Sequence, residues 1–401
     1  MELRRRLSTI APILLAAIVS VSTGSCWKSQ LGLPEEGADL DSDSDSDIDS
    51  DADGDTDTDS GSDSESFADS DTEPYNPFTG TFTDVFAFSP DDVWAVGEKP
   101  EDSFPGTGFV AHFDGTGWTV ENGMAGRGVI GFENDEPGDD GCYEVYVAGY
   151  TMTTVDDYVY VPMGRVRRWD GYMWENIWDD EDNEILNDIT GTSKNDLWVV
   201  GTNRRIANYV GEGTYTGWFE GYVTIPNLDL LDIVSINRSN SYGPFMSVSL
   251  ESCTDPTSPL PCGTVIGCSG IGQCFTYTGF AIEVPLFREV DIWGPNIWGA
   301  SVDGSAYNTY LVATPLSDKP LNAVWQLGLE HLWVAGDAGV VASLYGDPWV
   351  TDVVDPDVDF QGIWANETDD AVFAVGGRNT PEGKVPVIYQ YDGSTWLQSY
   401  P

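Results

Sequence analysis

The chain has 401 residues, 41% of them apolar and 12% aromatic, enough to bury a large core as one big domain or two smaller ones. Lys and Arg number 17 against 67 Asp and Glu, a formal net charge of −50. That balance argues against nucleic acid and anionic membrane surfaces, since binding either requires Lys and Arg to neutralise phosphates, and leaves cationic partners and metal ions open.

At the N-terminus, Arg4, Arg5 and Arg6 lead an apolar stretch of signal-peptide length, too short and too interrupted by Ser and Pro12 for a membrane-spanning helix. Residues 1–25 therefore read as an export signal. Its end, "VSTGSC", resembles the lipobox of bacterial lipoproteins. The resemblance implies that Cys26 is lipidated and becomes a mature N-terminus stably anchored to the membrane by several acyl chains. Thr23 stands where that family usually has Leu, so cleavage near Gly24 or Ser25, releasing a soluble secreted protein, stays open. Trp27, in place of the Asp that favours inner-membrane retention, leans to the outer membrane of a bacterial envelope, with the rest of the chain periplasmic or surface-exposed.

Residues 26–75 continue as a tether. "DLDSDSDSDIDSDADGDTDTDSGSDSES" has almost nothing apolar to bury and repels itself, so it stays disordered. Held extended, the segment from Trp27 to Pro74 reaches at most about 160 Å. Asp49, Asp51, Asp53 and Gly54 are spaced like the opening of a calcium loop, but Ser60 stands where the bidentate Glu belongs. Weak calcium binding is all that this run supports, and no cofactor is otherwise implied.

From residue 76 to 401 the chain repeats itself. "DVWAVG" (92–97) returns as "EVYVAG" (144–149), "DLWVVG" (196–201), "HLWVAG" (331–336) and "AVFAVG" (371–376), with weaker copies at "NIWGAS" (296–301) and "PFMSVS" (244–249). Taking Gly97 as marker, its equivalents are Gly149, Gly201, Ser249, Ser301, Gly336 and Gly376, at intervals of 52, 52, 48, 52, 35 and 40 residues. Each copy follows a short apolar run, such as "FTDVFAFS" (82–89) or "FQGIWAN" (360–366), across turn formers such as "SPDD". Each leads to a third run that ends in a tight turn, as in "HFDGTGW" (112–118), "RWDGYMW" (168–174) and "QYDGSTW" (390–396). Asp-Gly between apolar runs is a strong hairpin signal, because such turns need positive φ. The pattern predicts an all-β fold of seven four-stranded antiparallel blades, a β-propeller, whose second strands are apolar on both faces because each sheet packs between two neighbours. The Trp of each copy is expected to pack between blades, and the Gly to serve a crowded backbone or turn.

The "DVWAVG…HFDGTGW" unit is similar to the propeller repeats of myxobacterial-type repeat lipoproteins, and more distantly to the Asp-box repeats of sialidases and to the photosystem II assembly factor propeller. The resemblance implies the fold and leaves function open, because propellers host unrelated activities. No arginine of the repeat region stands in the Arg-Ile-Pro context of the sialidases, and His112 and His331 lie in strand runs without a His cluster. No catalytic constellation is recognisable. Three functions stay open: a non-catalytic binding or assembly module for an unknown protein or glycan, a carbohydrate-active hydrolase or lyase using carboxylates in the funnel, and a periplasmic envelope-assembly factor.

Cys253, Cys262, Cys268 and Cys274 crowd one insert without the C-x-x-C pairs of zinc sites, so in an oxidising compartment they read as two disulfides of undetermined pairing. Cys142 is left over. The long segments "EKPEDSFPGTG" (98–108), "TMTTVDD" (151–157), the cysteine insert and "GRNTPEGK" (377–384) all follow a second strand, so they gather on one face. Phe104, Asp156, Asp157, Arg204, Arg205 and Lys384 are the candidate partner residues there.

Overall fold

The computed structural model describes residues 79–400 except 101–106, 134–142, 157–158, 181, 183, 212–216, 223–227, 235–244, 251–263, 269–273, 277–286, 294–295, 309–311, 347 and 369. Every strand pairing in it is antiparallel, and strands follow one another in chain order within each sheet. The first sheet has seven strands: β1 (Thr81–Ser89), β2 (Asp92–Glu98), β3 (Thr107–Phe113), β4 (Trp118–Glu133), β5 (Tyr143–Asp156), β6 (Val159–Trp169) and β7 (Trp174–Asp179). Five four-stranded sheets follow. They are β8 (Leu186–Ser193), β9 (Asp196–Gly201), β10 (Arg205–Val210) and β11 (Gly217–Tyr222); then β12 (Leu228–Val234), β13 (Phe245–Leu250), β14 (Thr264–Cys268) and β15 (Cys274–Thr276). Next come β16 (Phe287–Trp293), β17 (Asn296–Ser301), β18 (Ser305–Asn308) and β19 (Ala313–Pro315). The last two are β20 (Leu321–Gly328), β21 (His331–Gly336), β22 (Val340–Tyr345) and β23 (Val350–Val353), and β24 (Val358–Ala365), β25 (Val372–Thr380), β26 (Gly383–Tyr391) and β27 (Trp396–Tyr400). Strand β4 has two roles: Trp118–Met124 pairs with β3, and Ala125–Glu133 pairs with β5.

The first strands stand side by side around a centre. β1 neighbours β4, β4 neighbours β8, and the succession runs through β12, β16 and β20 to β24, which packs back on β1. This closed ring is a β-propeller. Near its start each of these pairings carries an extra residue on the first strand, a β-bulge, at Thr83, Arg127, Asn187, Leu231, Arg288, Asn322 and Gln361. A bulge bends and twists its strand and re-aims the side chain it carries.

The bulges explain the repeated glycine. A Cβ at Gly97, Gly149, Gly201, Gly336 or Gly376 would overlap the carbonyl oxygen of Thr81, Ala125, Ile185, Pro320 or Asp359, in each case the residue two before the bulge. The crowded-backbone expectation thus acquires its cause. The bulge also corrects one equivalence: the residue before it pairs with the marker in the other units, and in β12 that residue, Leu230, pairs with Val248 and not Ser249. With no glycine in "PFMSVS", only the register sets the phase.

Packing between sheets follows the alternation of the second strands. Trp94 is 5% exposed and lies among Val129, Val145 and Val147 of the neighbouring strands, with Trp169 and Trp174 at its edge. Trp298 packs likewise on β20–β22, and Trp333 on β24–β26. The residue two before the aromatic holds its polar atom: Trp94 Nε1 donates to Asp92 at 3.0 Å, and the Tyr146 hydroxyl donates to Glu144. His112 stacks on Trp94 with centroids 3.9 Å apart and lies 2.9 Å from Asp92. In the Asp-Gly turns, Asp114, Asp170 and Asp392 accept bonds from backbone N–H groups two and three residues on, while Gly115, Gly171 and Gly393 take φ of 82°, 94° and 87°.

Two segments expected to be irregular are strand. Residues 151–156 prolong β5, where Thr151–Thr154 pairs with Tyr160–Met163 past the last β4 partner at Tyr150. "GRNTPEGK" closes β25 and β26 with Thr380 opposite Gly383. β-Branched Thr and Val favour extended backbone, and cross-strand pairing extends the hairpins in place of loops.

Candidate functional site

Antiparallel pairing puts the start of each first strand beside the end of the second. The bulges, the turns after the second strands and the links between sheets therefore share one face. On the axis lies a cavity of about 550 Å³. Its walls include the bulge residues Thr83, Arg127, Asn187, Arg288, Asn322 and Gln361, one from each first strand apart from β12. All six are polar.

Several of these side chains tie one first strand to the next. Thr83 Oγ1 donates to the Gly126 carbonyl at 2.7 Å. Arg127 Nη1 donates to Asn187 Oδ1 at 2.8 Å, while its other nitrogens reach Glu98 at 3.2 and 3.3 Å and its guanidinium lies 5.3 Å from the Tyr150 ring centre. Asn322 Nδ2 donates to the Phe360 carbonyl and to Asp337, both at 2.7 Å. Carboxylates complete the belt. A first strand presents an edge with no further strand on its inner side, and buried N–H groups on such an edge need acceptors. Asp84 Oδ2 accepts from Val129 N–H at 2.8 Å, and Asp291 Oδ2 accepts from Gln326 N–H at 2.5 Å.

Of the residues singled out from sequence, Lys384 and Arg205 do not line this cavity. Lys384 lies at the β25–β26 turn with Nζ 3.0 Å from Asp359. Arg205 opens β10 and is 1% exposed: it pairs with Asp180, Asp182 and Glu220, and its guanidinium lies 5.5 Å from the Trp178 ring centre. It belongs to the interior and is not offered to a partner. Arg204 ends the three-residue turn before β10, and Asp156 ends β5. Phe104, Asp157, Cys26, Cys142, Cys253, Cys262 and the aspartates at 49, 51 and 53 lie outside the described residues. Cys268 and Cys274 are register partners across β14 and β15. Among the described residues no group of three or more His, Cys, Asp or Glu is placed to hold a metal ion.

Lys384 belongs to an ionic cluster on this face. Asp355 accepts from Arg378 at 2.9 Å, the Tyr389 hydroxyl at 2.7 Å and the Asp357 N–H at 3.1 Å. Asp359 accepts from Lys384 and Asn379, both at 3.0 Å, and from the Ala338 N–H at 3.2 Å. Burial works to raise both carboxyls, but these donors outweigh it and hold them below the usual Asp value. The cavity residues were missed in the sequence, although a signal exists: a polar residue follows the leading apolar one in "FTD", "LND", "FRE", "LNA" and "FQG".

No protein-family model matches the chain, and no curated protein does. Solved structures do. YCF48 bound to D1 peptide superposes with a TM-score of 0.52 at 13% identity, covering 75% of this chain and 91% of that one. YCF48 from Cyanidioschyzon merolae gives 0.51 at 13% identity over 79% and 97%. The WD40 propeller domain of Doa1 gives 0.50 at 10% identity over 77% and 93%. At such identities the likeness is one of fold.

Proposed function

We propose that the chain is an exported lipoprotein, anchored through Cys26, whose seven-bladed propeller is a non-catalytic binding or assembly module for a protein partner at the bacterial cell envelope. The blade count is supported by the double role of β4: assigning Trp118–Met124 to one blade and Ala125–Glu133 to the next divides the first sheet in two, beside five others. The observation that carries the binding role is the cavity, ringed by polar bulge residues that lock neighbouring sheets, on the face where the β5–β6 and β25–β26 hairpins project. A locked scaffold with variable projections is where proteins place recognition. One propeller of this fold was solved with a peptide bound, which adds support for a protein ligand. The register of β14 and β15 supports a Cys268–Cys274 disulfide, which leaves Cys253 to Cys262.

The test is photocrosslinking in cells. A photoreactive residue at Thr153 or Glu382, on the projecting hairpins, should capture a protein, whereas one at Leu397 on the outer strand should not. Adducts from Leu397 alone would move the site to the rim. In a Cys26→Ala strain the hairpin adducts should leave the membrane fraction, and retention there would end the lipid-anchor reading.

A further inference from the structure

The β5–β6 hairpin outgrows its sheet. On one side β4 has its last partner at Tyr150, and on the other β7 reaches only to Arg165, opposite Asp179, so Thr151–Thr154 and Tyr160–Met163 pair with each other alone. A two-stranded ribbon has two edges of unpaired backbone. A proline fixes which groups lie on them. In an antiparallel pair, opposed residues either exchange both of their N–H···O bonds or point their N–H and C=O groups outward. Pro162 has no N–H to give, so it and its partner Met152 are of the outward kind. Gly164, two residues on, agrees: its carbonyl accepts the Asp180 N–H at 2.8 Å, on the side away from β5. With a period of two, Thr154 opposite Tyr160 points outward as well, while Thr151 and Thr153 direct their N–H and C=O groups to β6.

The two edges differ. Toward β7 the row lacks a donor at Pro162, a common way of blunting an edge. Toward the axis, where β4 has turned away, Met152 and Thr154 offer N–H and C=O in alternation, with no Pro, Lys or Arg from 151 to 156. Among the described residues nothing bonds these groups, and a shift in register after Thr154 ends the row. Charge selects what can lie along it. Residues 151–164 hold acidic side chains and no basic ones, and at the base of the ribbon Arg165 and Arg127 are already paired with Asp179 and Glu98. The chain's own segment 34–72 is acidic with no Lys or Arg, and a second copy brings a net charge of −50, so both are repelled. An extended segment carrying Lys or Arg is attracted.

We propose that the inner edge of the β5–β6 ribbon, at Met152–Thr154, takes an extended basic segment of the partner protein as an added β-strand. This rests on the reading of that partner as a protein docking on the cavity face. The test uses the full chain and three capped octapeptides: alternating Lys and Val, alternating Glu and Val, and the Lys–Val peptide with N-methylated valines, which cannot pair along both edges. Binding is read by calorimetry, and the exchange of single amides by hydrogen–deuterium exchange. In the free chain the Met152 and Thr154 amides should exchange at least about tenfold faster than those of Thr151 and Thr153, and saturating Lys–Val peptide should slow them about tenfold. That peptide should bind at least about tenfold more tightly than either of the others. Thr154→Pro removes an outward N–H and no bond to β6, so it should weaken binding about tenfold at an unchanged melting temperature, whereas Thr154→Val should bind as wild type does. Equal binding of the three peptides, no Lys–Val binding at millimolar peptide, or unchanged binding by Thr154→Pro would each overturn the proposal. So would slow exchange of Met152 and Thr154 in the free chain: independent of concentration, it would mean that the chain covers its own edge, and rising with concentration, that a second copy does. A partner captured by the hairpins while the peptides fail would end the strand addition alone; peptides that bind where no partner is captured would end the protein-partner reading alone.

Discussion

A methyl group at position 149 would overlap the Ala125 carbonyl oxygen and crowd the Gly126 Cα, whereas one at Gly117 would meet nothing within 4 Å. Backbone cannot move aside as a flexible side chain can, so the two glycines should answer the same substitution differently. Gly149→Ala should cost on the order of 2 kcal/mol or more, and Gly117→Ala less than about 0.5 kcal/mol, measured by chemical unfolding. Equal losses would show that the bulge can relax. The glycine was legible because its own identity is the signal. The bulge opposite it was not, since an extra residue in a strand has no residue type reserved to it. Arg205 shows a different limit: an arginine in a chain poor in them reads as a surface contact, and only the folded positions of Asp180, Asp182 and Glu220 reveal that it is answered inside.

The segment "DPDVD" (355–359), which runs from the link after β23 into the first two residues of β24, ties the last two sheets on the cavity face through side-chain bonds. Asp355 and Asp359 are held below the ordinary Asp value in the folded state, so their contribution is full above that ordinary value and is lost as pH falls through the folded pKa. Falling pH also relieves the repulsion of an acidic chain, which acts in the opposite direction on the whole molecule. The difference between wild type and Asp359→Asn isolates the link. Wild type should melt higher at pH 6, and the gap should close on acidification below about pH 4; a gap that stays constant with pH would mean that Asp359 acts through packing alone. At this scale the strands were legible from apolar runs and Asp-Gly turns. The hairpin extensions at 151–156 and 377–384 were not, because Thr, Asp, Gly and Pro serve loops and strand ends alike, and cross-strand pairing decides between them.

The ring as a whole has one seam unlike the rest. Successive sheets elsewhere are joined by the chain itself, but the first and last meet only through non-covalent contacts, and no strand is exchanged between them among the described residues. Phe82 and Tyr400 pack edge to face at 5.5 Å, the Trp118 indole donates to Ser399 at 3.1 Å, and the Gly80 N–H donates to the Lys384 carbonyl at 2.8 Å. Opening any other seam leaves the two sheets tethered by a short link, so little entropy is gained. Opening this one frees sheets separated by the whole repeat region, and closure entropy grows with the length of chain between the ends. The seam should therefore be where the ring opens first. Tyr400, 7% exposed, and Trp298, 8% exposed, each fill a seam with one buried aromatic ring. Truncating either to Ala should cost on the order of 3 kcal/mol, but the consequences should differ in native-state hydrogen exchange. Tyr400→Ala should speed exchange in β1–β3 and β24–β27 while β8–β11 keep their protection, as expected when units contact only their neighbours. Trp298→Ala should speed exchange throughout, because its seam stays tethered and gives way only with the whole. The same even increase from both variants would show that the closure is as firm as the covalent links, and that the termini meet at no weak point.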